Sequence, residues 1–126
     1  MNRRLKIVVA DDDRDTREYL QAFLTYLGYD VRSAEDGHRL VESCCIFRPD
    51  LIVTDFEMPG LDGLAAAAEV NGERPVPVIL LSGRYDAEAA ALAASHVVRF
   101  LMKPVKDADL RSAVEAAAAR RAAAGG

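Results

Sequence analysis

Short apolar runs recur along the chain at residues 5–10, 51–55, 77–81 and 97–102, with a weaker segment at 30–34. Each is five or six residues long; the first is rich in β-branched residues, and the run at 51–55 is preceded by the turn signal Arg48-Pro49-Asp50. Such runs suit strands buried on both faces of a sheet. Between them the period changes to that of a helix. Leu20, Phe23, Leu24 and Leu27 fall at i, i+3, i+4 and i+7, and the pattern stops at Gly28. Asp13 or Asp15 caps that helix. Asp36 is placed to cap a second one, with Leu40, Val41, Cys44 and Phe47 inward, ending before Pro49. Ala-rich helices follow at 61–70, closed by Asn71-Gly72, and at 86–94. A last helix begins at Asp107, with Leu110, Val114 and Ala117 inward.

Strand and helix therefore alternate five times. Such alternation demands parallel pairing through right-handed crossovers, with helices on both faces. The expected fold is a flavodoxin-like α/β domain: a doubly wound five-stranded parallel sheet, order 2-1-3-4-5, flanked by five helices. Its switch point lies between the first and third strands. One domain is expected over residues 1–121, with residues 122–126 a frayed tail or linker stub.

Composition narrows the function. The 126 residues are 51% hydrophobic and 29% charged, ordinary for one globular domain, and the net charge is −4. Without a basic run, direct nucleic-acid binding is not expected. The N-terminal apolar run is too short for a secretory segment, and no stretch reaches membrane-spanning length, so a cytoplasmic protein is expected. Cys44 and Cys45 are adjacent and lack metal-ligand spacing; they read as buried thiols of a reducing compartment.

The chemistry sits at the strand ends. Asp11 and Asp12 end the first strand and Asp55 ends the third, the two strands that flank the switch point. Three converging carboxylates repel one another unless a cation is present. A hard, oxygen-seeking ion that retains waters and accepts phosphate oxygens is the natural partner, which means Mg²⁺. Ser82 and Lys103 end the fourth and fifth strands and bring a hydroxyl and a cation to the same crevice. Together these groups supply what phosphoryl transfer needs: a nucleophile, and positive charge plus donors for the equatorial oxygens.

The segments Ile7-Val8-Val9-Ala10-Asp11-Asp12-Asp13, Asp55-Phe56-Glu57-Met58-Pro59-Gly60-Leu61-Asp62-Gly63, Leu80-Leu81-Ser82-Gly83 and Phe100-Leu101-Met102-Lys103-Pro104 resemble, in this order, the response regulator receiver domain of bacterial two-component signalling. The likeness covers roughly residues 5 to 121. It implies that Asp55 accepts a phosphoryl group from a phosphohistidine on a sensor histidine kinase or histidine phosphotransfer protein. It implies Mg²⁺ at Asp11, Asp12 and Asp55, with the backbone carbonyl of Glu57 as a further ligand. Ser82 would be the switch hydroxyl, Lys103 the phosphate-contacting cation, Phe100 the switch aromatic, and Lys103-Pro104 a cis peptide. Gly83 would leave the phosphoryl site open. A downstream protein target is implied, and an enzyme in the usual sense is not.

Two departures stand out. Ser95-His96-Val97 replaces the Gly-Ala often found before the last strand, and Val98-Arg99 stands where many DNA-binding members carry acidic dimer contacts. A monomer is therefore expected before phosphorylation, with partners docking near Tyr85, Arg99, Lys106 and Arg111. His38 and His96 read as surface residues. The rival reading is a Mg²⁺-dependent phosphohydrolase with an aspartyl nucleophile and Glu57 as its acid–base. The chain carries no large substrate-selecting insertion of the kind those enzymes use. A flavodoxin-like cofactor carrier would need a phosphate-binding loop after the first strand, and none is present.

Overall fold

The computed structural model describes residues 3–125; Met1, Asn2 and Gly126 lie outside the described residues. Strands β1 (Lys6–Ala10), β2 (Asp30–Ala34), β3 (Leu51–Asp55), β4 (Val78–Ser82) and β5 (Val97–Met102) alternate with helices α1 (Arg14–Tyr26), α2 (Gly37–Phe47), α3 (Gly63–Glu73), α4 (Ala87–Ala93) and α5 (Asp107–Gly125). All four strand pairings are parallel, and the sheet order is β2-β1-β3-β4-β5. This is the expected doubly wound topology.

Alternation along each strand divides the core in two. Ile7, Val9, Leu51, Val53, Ile79 and Leu81 face Leu20 and Leu24 of α1 and Leu110, Ala113, Val114 and Ala117 of α5. Val8, Ala10, Ile52 and Val78 face Leu40 and Cys44 of α2 and Ala66, Ala67 and Val70 of α3. The inner strands β1, β3 and β4 are therefore covered on both faces. β3 is paired on both sides, Leu51–Thr54 with β1 and Ile52–Asp55 with β4, which fixes the strand up to Asp55.

The helix starts follow local chemistry. Asp13, Asp36 and Asp62 each sit in extended backbone and accept an amide three residues on, from Thr16, Arg39 and Ala65. α3 thus begins at Gly63, not at Leu61, because Asp62 is its cap. Its Ala-rich sequence carries the helix through Asn71-Gly72 to Glu73. β4 lies one residue later than the apolar run implied. α5 continues through residues 122–125, where a frayed tail was expected. Ala122, Ala123 and Ala124 are strong helix formers, and the preceding turns are already nucleated. Only Cys44 of the cysteine pair is buried. Neighbours on a helix point about 100° apart, so one thiol faces the core and Cys45 faces solvent. No helix among the described residues is long and apolar enough to cross a membrane.

Candidate functional site

The site lies where the C-terminal ends of β1, β3, β4 and β5 meet. β1 and β3 pair directly, Ala10 opposite Thr54, which sets Asp11 beside Asp55. Carboxylate oxygens of Asp11, Asp12 and Asp55 come within 4.8 Å of one another. Asp11 and Asp55 are buried; Asp12 is exposed. The fifth strand delivers Lys103, whose Nζ lies 3.0 Å from Asp11 Oδ2 and 3.2 Å from Asp55 Oδ1. Its backbone N–H donates to the Ser82 carbonyl at 2.8 Å, clasping the ends of β4 and β5 together. The Lys103–Pro104 peptide is cis, as the resemblance implied.

The two buried acids are supported differently. Asp11 Oδ1 accepts the Asp13 amide at 2.9 Å, Oδ2 accepts Lys103, and the Asp11 carbonyl accepts Arg17 Nη1 at 2.9 Å. Asp55 is 5% exposed, yet its Oδ1 finds no directed hydrogen bond among the described residues. Lys103 is close to it but off-axis, already turned to Asp11. Burial raises the Asp55 pKa, Lys103 pulls it down and Asp11 pushes it up again; the outcome is about 6. For Lys103 the balance runs the other way. Burial lowers its pKa, and the Asp11 hydrogen bond with the two nearby carboxylates more than offsets that. The ammonium therefore stays charged at neutral pH.

The loop after β3 is fixed from below. The Gly63 amide donates to the Phe56 carbonyl at 2.8 Å, and Thr54 Oγ1 donates to the Asp55 carbonyl at 3.0 Å. A Cβ at Gly63 would overlap that same carbonyl oxygen, so only glycine lets α3 start so close to Asp55. At Gly83 a Cβ would meet nothing within 4 Å and would stand in open space.

Ser82 is fully buried, and its Oγ donates to Glu57 Oε1 at 2.6 Å while accepting the Arg84 amide at 3.0 Å. Arg84 forks onto Asp86, at 3.0 and 2.6 Å, and stays 4.0 Å from Glu57. The Glu57 side chain is thus tied to Ser82, a contact the sequence did not disclose. Phe100 pairs with Leu80 in the ladder and is partly buried. Leu101 belongs to the α1/α5 core, so alternation sets Phe100 on the other face. Tyr85, Arg99, Lys106 and Arg111 are exposed, and so is His38. His96 is not a plain surface residue: its Nε2 is buried and unpartnered among the described residues.

The donor set suits a hard divalent cation. Three carboxylates offer oxygens only, and one of those oxygens is buried without a directed donor.

Comparison with known proteins agrees with this chemistry. The family described as response regulator receiver domain matches residues 7–115. A probable transcriptional regulator, ycf27 of Porphyridium aerugineum, is 42% identical over 84 residues, covering 64% of this chain and 34% of the relative. The transcriptional regulatory protein PdtaR of Mycobacterium tuberculosis is 32% identical over 117 residues, covering 91% of this chain and 57% of the relative. The chain therefore spans between a third and somewhat over half the length of these two relatives. Among solved structures, a response regulator receiver domain protein from Clostridium thermocellum superposes with a TM-score of 0.85 at 29% identity, covering 93% of this chain and 96% of that one.

Proposed function

This chain belongs to the response regulator receiver domain family, and from that premise we propose that Asp55 is its phosphoacceptor, loaded from a phosphohistidine. The observation that carries the proposal is the state of Asp55: a buried carboxylate whose Oδ1 lacks a directed hydrogen bond and whose pKa is raised to about 6. A poorly solvated, poorly satisfied carboxylate is a better nucleophile than a fully hydrogen-bonded one. Its oxygen attacks phosphorus, the P–N bond of the phosphohistidine breaks, and the imidazole leaves with the electron pair.

In this reading Asp11, Asp12 and Asp55, with the Glu57 carbonyl, hold Mg²⁺. The ion supplies charge neutralisation on the phosphoryl oxygens. Lys103 adds a second positive charge and stays protonated to do so. Ser82 is the hydroxyl that reorients toward a phosphoryl oxygen, and Phe100 follows it, altering the surface of β4, β5, α4 and α5. The donor is a sensor histidine kinase or histidine phosphotransfer protein. The target is a protein docking near Tyr85, Arg99, Lys106 and Arg111, and the unphosphorylated domain is monomeric. The receiver unit spans residues 1–121. A hydrolase reading finds less support, since the Glu57 carboxylate it requires as acid–base is engaged by Ser82.

Incubation with acetyl phosphate and Mg²⁺, followed by mass spectrometry of peptides, tests the acceptor. The phosphoryl mass is expected on the peptide holding Asp55 and is lost when Mg²⁺ is chelated. Labelling elsewhere, or rapid turnover of excess phosphate ester, would overturn the reading.

A further inference from the structure

We propose that the Glu57 side chain is a latch that holds the switch hydroxyl in its resting position, so that Ser82 turns to the phosphoryl group only by leaving Glu57. The inference rests on the reading of Asp55 as phosphoacceptor and adds a role for a side chain which that reading uses only through its backbone.

A serine hydroxyl has one proton to give. Here it is given to Glu57 Oε1 at 2.6 Å, while the Arg84 amide occupies a lone pair of the same oxygen at 3.0 Å. Asp55 Oδ1, buried nearby, receives no such bond. The resting hydroxyl, fully buried, is therefore committed away from the acceptor. The competing acceptors, a carboxylate and a phosphoryl oxygen, are both anionic, so each makes a short, charge-assisted bond. Exchanging one for the other is close to balanced, which is what a two-state switch requires.

Glu57 is suited to release. Its side chain is 38% exposed, so the carboxylate can pass into water once the hydroxyl departs. The cation beside it holds it weakly: Arg84 keeps its fork on Asp86 and stands 4.0 Å from Glu57 Oε1, the outer limit of an ion pair, on the exposed side. A phosphoryl group on Asp55 also brings negative charge toward Glu57, which favours its outward movement.

The test is a double-mutant cycle on the affinity for beryllofluoride in the presence of Mg²⁺, measured by calorimetry. Glu57→Ala removes the resting acceptor and is expected to tighten beryllofluoride binding about tenfold, the scale of one charge-assisted hydrogen bond after resolvation. Glu57→Gln keeps a weaker, neutral acceptor and should fall between the two. In a Ser82→Ala background, Glu57→Ala should leave affinity within about twofold. Equal tightening in both backgrounds would show that Glu57 acts through charge alone and would overturn the latch; so would no tightening in either. A parent that fails to bind beryllofluoride would instead remove the phosphoacceptor reading beneath it. In metal-free protein the Ser82 and Arg84 amide resonances should move in Glu57→Ala and largely return in Glu57→Gln. Unmoved resonances would overturn the latch without reference to any ligand.

Discussion

Strand β3 is bracketed by two buried carboxylates that could hardly differ more. Asp50, just before it, is 2% exposed and saturated. Arg3 forks onto it at 2.7 and 2.8 Å, the Lys6 amide donates at 2.9 Å, and Arg121 Nε stands 2.9 Å away. Burial would raise its pKa, but Arg3, Lys6 and Arg121 overturn that and hold it at about 2. Asp55, at the other end of the same five residues, is nearly as buried and has at Oδ1 the shared Lys103 ammonium at 3.2 Å, with its pKa raised to about 6. Asp50 ties the segment before β1, the start of β3 and the far end of α5 into one body. Asp55 is held in a state it would leave on gaining a ligand. Burial alone distinguishes neither; the count of directed donors does.

The largest expected difference between Asp55 and Asp50 is chemical. Asp55→Asn should abolish labelling by acetyl phosphate, a loss of at least about a hundredfold, while Asp50→Asn should retain it. Peptide mass spectrometry reads both. Equal loss in the two would mean that the contrast is one of folding, not of function.

Stability should split the pair in opposite directions. Asp50→Ala leaves the part-buried Lys6 amide unsatisfied, costing about 1–3 kcal/mol, and frees Arg3 and Arg121 into solvent. Asp55→Asn in metal-free protein should stabilise by up to about 3 kcal/mol at pH 7, the cost of ionising a carboxylate whose pKa is raised from 3.8 to about 6. Urea midpoints decide. A destabilised Asp55→Asn would show that the Lys103 contact outweighs the burial of charge.

The pH dependence carries the same signature. Asp55 has a raised folded-state pKa, so in metal-free protein the native state binds its proton more tightly than the unfolded chain. Stability is therefore lost as pH rises from about 4 through about 6. Asp50 has a depressed pKa, so its contribution is present above about 4 and lost as pH falls toward about 2. Metal-free Asp55→Asn should lack the first slope and keep the second.

Smaller effects refine the site. Asp12 is exposed, so Asp12→Ala should weaken Mg²⁺ binding at least about tenfold while changing stability by no more than about 0.5 kcal/mol. Arg84→Ala should alter the lifetime of the phosphorylated form by about twofold at most. Its guanidinium is exposed, is paired chiefly with Asp86, and is 4.0 Å from Glu57. Decay after removal of the donor is the measurement.

Much of this architecture was legible in the amino acids. Strands buried on both faces announce themselves as apolar runs, and their number and alternation fix the order that brings Asp11 to Asp55. Asp13, Asp36 and Asp62 mark helix starts by a local bond, so their signal is local too. What the sequence concealed depends on distant partners or on rotamers. Lys103 meets Asp11 across 92 residues, and its proximity is readable only through topology. The Ser82–Glu57 bond spans 25 residues and turns on a side-chain rotamer that no spacing encodes. The end of α5 is not legible in the sequence because residues 118–125 present no periodic apolar face. Alanine propensity extends it, and Arg121 reaches back to a carboxylate 71 residues earlier in the chain.

That reach has a mechanical side. α5 holds 19 residues, about 28 Å of rigid rod at the usual rise per residue. Arg121 pins it to Asp50 near its far end, whereas its near end follows the loop that carries Lys103. Leu110, Ala113, Val114 and Ala117 hold its inner face to the core, so any tilt is small. A tilt of about 5° about the Asp50 pin sweeps the Asp107 end through about 2 Å over such a length, and leaves the pinned end almost still. If phosphorylation of Asp55 shifts β5 as proposed, such a tilt would displace the near turns of α5, beside Lys106 and Arg111, far more than the turn that carries Arg121.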